Sequence, residues 1–130
     1  MKIEVIIDGM AFSNLSEFYD EIEAKLTRDL NWRIGRNLNA FNDVLRGGFG
    51  VGADDDQLTI IWVNSEKSRS DLGFDETVKY LKANLLTCHP TNVSKVEQEI
   101  ALAEDQKGYT LFDTIISIIH GYPHIELILD

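Results

Sequence analysis

Four polar side chains recur at helical spacing a third of the way along this 130-residue chain: Asn39, Asn42, Asp43 and Arg46. Positions i, i+3, i+4 and i+7 share one helix face. With Asn37 as N-cap, a helix is expected from Leu38 to about Arg46. Leu38, Phe41 and Leu45 then line its opposite face and enter the core. One carboxylate, one guanidinium and two amides make a hydrogen-bonding ridge, not a reaction centre, because no nucleophile stands beside a base. Trp32 and Phe49 flank the ridge, and Arg33, Arg36 and Gly47 complete the stretch from 31 to 50. A solvated helix face is the plain reading of such spacing. Aromatic residues around a polar ridge favour a surface that binds another protein.

The other candidate chemistry is thin. The glycines of GGFGVG, residues 47 to 52, miss the G-x-G-x-x-G spacing. They also follow a helix and precede a strand, whereas a phosphate-cradling loop needs strand then helix. They read as a helix stop and a loose connection. Cys88, His89, His120 and His124 match no zinc spacing, and His120 suits a helix C-terminus as a cation. No G-x-S-x-G elbow is present, and nothing orders Cys88 against a histidine for nucleophilic work. Asp54, Asp55 and Asp56 read as a solvated loop. Neither catalysis nor a metal nor a cofactor is expected.

Composition narrows the class further. The chain carries 44% hydrophobic and 26% charged residues, ordinary values for one soluble globular domain. A formal net charge of −10 argues against nucleic-acid binding, which needs clustered Lys and Arg, and suits a basic protein partner. The single cysteine rules out an intramolecular disulfide. No apolar run approaches membrane-spanning length and the N-terminus lacks a signal-like apolar stretch, so a cytoplasmic protein is expected.

These residues need elements to position them. Lys2 to Ile7 alternates as a strand, with Ile3, Val5 and Ile7 on one face, and Asp8-Gly9 marks a turn. Leu15, Phe18, Tyr19, Ile22 and Leu26 predict a helix over about 15–29, entered through Asn14 with Glu17 or through Ser16. QLTIIWV, residues 57 to 63, is apolar on both faces, which predicts the middle strand of a parallel sheet covered on both sides. His124 to Leu129 supplies a third strand. The sequence from 64 to 122 reads as mainly helical, in pieces at about 75–86, 92–106 and 110–120. The last is the most apolar, with Thr110 and Asp113 at its start and Gly121 and Pro123 at its end. The expectation is a small three-stranded parallel α/β sheet packed with helices, in one domain over residues 1–130.

The segment WRIGRNLNAFNDVL, residues 32 to 45, resembles the signature of the barstar family of ribonuclease inhibitors. Shared features are a glycine, one variable residue, Asn-Leu-x-Ala, an aromatic or aliphatic residue, and an aspartate shortly after. The strand and helix order matches as well, apart from a helical insertion at about 71–108 before the last strand. The resemblance implies an inhibitor or immunity protein whose short second helix and preceding loop plug the active site of a ribonuclease or ribonuclease-like toxin. Asp43 stands at the family's principal contact aspartate. Three departures accompany it. Asn39 replaces an acid one turn earlier, Arg36 follows the signature glycine, and Ser117-Ile118-Ile119 offers no acid in the last helix. Arg33, Arg36 and Arg46 leave the patch locally positive. The fold could therefore also serve as an interaction or regulatory module with a non-nuclease partner.

Within the insertion, residues 92–107 carry a thin apolar stripe and four acids, Glu97, Glu99, Glu104 and Asp105, so a peripheral and mostly exposed helix is expected. Deleting them behind a short linker should leave a cooperatively melting domain by circular dichroism. Loss of cooperative melting would place the helix in the core.

Overall fold

The computed structural model describes residues 2–26, 37–46 and 57–130. Trp32, Arg33, Arg36, Gly47, Phe49, the glycine-rich loop and the aspartate triplet lie outside these described residues, as does the end of the helix expected to reach residue 29. Three strands, β1 (Lys2–Asp8), β2 (Gln57–Val63) and β3 (Ile125–Leu129), form one parallel sheet in the order β1-β2-β3. The two-sided apolar pattern of residues 58 to 63 thus does mark the central strand. Six α-helices are present among the described residues. They are α1 (Leu15–Leu26), α2 (Leu38–Arg46), α3 (Ser65–Asp71), α4 (Phe74–Leu85), α5 (Val93–Glu104) and α6 (Leu111–His120). The fold is α/β, as expected from the alternation of elements.

The core forms on one face of the sheet. Val5, Ile7, Leu58, Ile60, Trp62 and Ile125 alternate inward and meet Phe18, Ile22 and Leu26 of α1, Phe41 and Leu45 of α2, and Phe112 and Ile115 of α6. Trp62 lies at the centre. Its indole stacks on Phe18 with centroids 5.7 Å apart and meets Phe12 and Phe112 edge-on. Its indole N–H donates to the buried Ser68 hydroxyl of α3 at 2.9 Å. That bond removes the cost of burying an unpaired donor.

The opposite face departs from expectation. Alternation along β2 leaves Thr59, Ile61 and Val63 only partly buried, and Ile6 and Ile128 are 52% and 42% exposed. Two-sided apolarity therefore identified the middle strand correctly but not a second covering layer. The described helices place their buried apolar residues in the single core or in a satellite cluster beside it.

Helix entry follows local chemistry. Asn14 Oδ1 accepts from Glu17 N–H while the Glu17 carboxylate accepts from Ser13 N–H, which supplies the capping pair for α1. Thr110 and Asp113 form a reciprocal capping box on α6. Close approach decides Gly9, where an added Cβ would lie 2.5 Å from the Asn64 carbonyl oxygen and 2.6 Å from Ser68 Oγ. Lys67 of α3 then ties down the following turn, donating to the carbonyls of Gly9 and Phe12 and pairing with Asp71.

The start of α4 knits separate elements together. The Glu76 carboxylate accepts from Leu15 N–H at 2.8 Å, and the Thr77 hydroxyl accepts from Leu111 N–H at 2.9 Å while donating to Gly73 O. Helices α1 and α6 thus both obtain an N-terminal partner from α4. Farther along, Leu81 of α4 and Val96, Ile100 and Ala103 of α5 form the satellite cluster, with Val78 and Leu85 against it.

Two outcomes are expected. Thr77→Val should destabilise the fold by about 2 kcal/mol in urea denaturation, since it strands the buried Leu111 N–H. The second concerns acid. Met10 N–H and the Asn64 side-chain amide both donate to the Asp8 carboxylate and hold it below the usual carboxylate range. A depressed folded pKa contributes stability above the unfolded value, and that stability is lost as pH falls through the folded one. Asp8→Asn should therefore flatten the acid limb of the stability profile below about pH 4.

Candidate functional site: the exposed face of the second helix

Asn37 starts α2 as its cap, with its side-chain oxygen accepting from Ala40 N–H at 2.8 Å and its carbonyl from Phe41 N–H. The following apolar positions then set the rotation of the helix. Phe41, Val44 and Leu45 are buried, and Leu38 packs partly buried against the same cluster. The Phe41 ring meets Phe18 edge-on at 5.5 Å, which joins α2 to the aromatic centre around Trp62. With that face fixed inward, Asn39 and Asp43 must point outward one turn apart, and both are exposed. Asp43 is the described carboxylate on α2.

Asn42 behaves differently from its expected neighbours on the ridge. It is half-buried, and the Tyr122 hydroxyl bonds both its backbone carbonyl and its side-chain oxygen. Tyr122 lies in the turn between α6 and β3, so this pair straps α2 to the far end of the sheet. Asn42 therefore holds the helix in place, with only part of its surface outward. Arg46 ends α2. Arg33, Arg36, Trp32, Gly47 and Phe49 belong to the segments outside the described residues.

Sequence spacing missed Tyr122. Its one signal was a tyrosine in a Gly-Tyr-Pro turn, which reads as turn chemistry and does not announce a partner on α2. Ser117 of α6, where the resemblance would seek an acid, is exposed.

The described outward groups of α2 are an amide and a carboxylate, Asn39 and Asp43. Cys88, His89, His120 and His124 are spread over the chain from the end of α4 to the start of β3. His89 accepts from Thr91 N–H in the 3-10 turn Pro90–Asn92, and the His124 ring packs against Tyr122. Among the described residues, no three His, Cys, Asp or Glu side chains group as metal ligands would. No helix of the described residues is long and apolar enough to cross a membrane.

The deciding comparison covers α2 and most of what surrounds it. A family model described as Barstar (barnase inhibitor) matches residues 3–101. The chain belongs to the barstar family. The resemblance carried by residues 32 to 45 is thereby borne out, and the matched span runs from β1 through α4 into α5. Helix α6, the turn that carries Tyr122 and strand β3 lie beyond it. No curated protein sequence matches the chain. Family membership brings a description as an inhibitor of a ribonuclease, hence as a protein that acts by binding a protein.

Strapping of α2 is open to measurement. Tyr122→Phe removes the hydroxyl from Asn42 and should cost about 1 kcal/mol of stability in urea. Amide exchange in α2 should accelerate beyond that in α1. Uniform acceleration throughout the chain would show no local role.

Proposed function

We propose that this protein is an inhibitor or immunity protein that binds a basic ribonuclease or ribonuclease-like toxin and blocks its active site with α2. It acts by occupancy and performs no catalysis of its own. The observation that carries the reading is the family match running through α2, with Asp43 exposed on a helix whose other face is locked into the core. A ribonuclease active site is built to receive phosphate, so a rigidly held carboxylate can take a place meant for the substrate's charge. The net charge of −10 would speed encounter with a basic enzyme. The contact set in this reading is Asp43, Asn39, Asn42 and Arg46 on α2, with Arg33, Arg36 and Trp32 before it and Gly47 and Phe49 after it. The cytoplasm is the compartment where such a protein would shield its own cell.

A second reading has one specific observation in its favour. Asn39, exposed one turn before Asp43, is neutral where the family pattern offers an acid. With Arg33, Arg36 and Arg46 nearby in sequence, the stretch around α2 is mixed in charge instead of acidic. That suits an interaction module whose partner is not a nuclease.

Inhibition of RNA cleavage separates the two. Asp43→Ala should leave the free protein folded and weaken inhibition of a target ribonuclease by on the order of 2 kcal/mol or more. Added salt should slow association, since steering between opposite net charges is screened. A partner that binds equally well after Asp43→Ala, with no effect on its RNA cleavage, would establish the interaction-module reading.

A further inference from the structure

The open face of the sheet has a definite layout. Strand register places Ile6, Ile61 and Ile128 in one row across all three strands. Val63 and the Thr59 methyl extend the apolar surface along β2 on either side of Ile61. Acids occupy the corners of the rows from Thr59 to Val63, with Lys2 and Gln57 paired one row beyond. Glu4 and Glu126 stand in the row of Thr59, and Asp8 pairs in register with Val63. Asp130 continues the alternation just past β3, with its backbone N–H donating to the Trp62 carbonyl. All-parallel sheets are almost always covered on both faces by helices, and the described helices bury their apolar residues elsewhere.

We propose that this face is a docking surface for an amphipathic helix of a partner protein, with an apolar stripe flanked on both sides by Lys or Arg. A helix lying along β2 would set its stripe on Ile61 and Val63 between Ile6 and Ile128. Its flanking cations would reach the carboxylates at the corners. Charge complementarity selects this occupant over a second copy, because two such faces would bring eight carboxylates together on chains of net charge −10. An added strand is not favoured at β1, where the outward Ile6 carbonyl accepts from Lys25 and the outward Asp8 N–H donates to Glu21. The face lies on the side of the sheet away from the core that seats α2. The protein could thus hold a partner here while α2 is engaged, and the surface does not rest on the ribonuclease reading.

The test uses the full chain and a fluorescent peptide of Leu and Lys arranged as an amphipathic helix. Controls are the same peptide with Glu for Lys and one of scrambled order. Anisotropy should show saturable binding of the Leu/Lys peptide only. Ile6→Thr with Ile128→Thr keeps β-branched residues in the strands and should weaken binding at least about tenfold. Glu4→Gln with Glu126→Gln should weaken it several-fold and flatten its salt dependence. Leu86→Ser, at an exposed leucine after α4, should change nothing. Circular dichroism melts verify that each variant folds. The proposal is overturned if the isoleucine variants bind as wild type, if Leu86→Ser weakens binding as much, or if the Glu peptide binds equally. Isoleucine-dependent dimerisation in sedimentation would equally overturn it, in favour of a second copy.

Discussion

The packing of Trp62 is the interaction on which the remaining structure depends. This one side chain, projecting from the central strand, touches groups from four separate parts of the chain. Phe12 follows β1, Phe18 belongs to α1, Ser68 to α3 and Phe112 to α6. Its large apolar area drives the burial, while its N–H demands a partner, which Ser68 supplies. The hydrogen bond therefore sets the position of α3 against the sheet, and Gly9 is needed where the chain crosses beneath it. Arg69, one residue on, then lies 4.7 Å from the centre of the Phe112 ring, extending the same contact to the surface.

From that centre the candidate binding helix gains its rigidity. Phe41 reaches Phe18 and so couples α2 to Trp62 through a single ring. Tyr122 fixes the helix from the other side. A short helix with both apolar and polar anchors loses little freedom on binding, which is the condition for a few exposed side chains to carry affinity. The exposed Asn39 and Asp43 are displayed by a frame that was ordered for other reasons. The display of this helix face is a by-product of core packing plus one strap.

Asymmetry of the sheet has a related cause. Helices α1, α2, α3 and α6 all contribute to the aromatic side, and α4 and α5 spend their apolar residues chiefly on one another. None of the described helices is then left to cover Ile61 and its neighbours. The cost of this exposure is limited by surrounding acids, which keep the face wet and make close pairing of two copies repulsive.

What the sequence determined by itself is local in character. Periods of 2 and 3.6 residues located the strands and most helices, because alternation and helical spacing are properties of neighbouring residues. Caps at Asn14, Asn37 and Thr110 were legible for the same reason. Two-sided apolarity in QLTIIWV revealed the central strand, and the signature in residues 32 to 45 revealed the family. Only the tertiary structure decided which distant groups complete these elements. Glu76 meets Leu15 across 61 residues, Thr77 meets Leu111 across 34, and Tyr122 meets Asn42 across 80. Hydrogen-bond partners so remote leave no periodic trace, since many donors elsewhere in the chain would satisfy the same group. The open face was hidden for a similar reason. Apolarity shows that a residue can be buried, but whether it is buried depends on where helices far away in sequence have already placed their own apolar stripes.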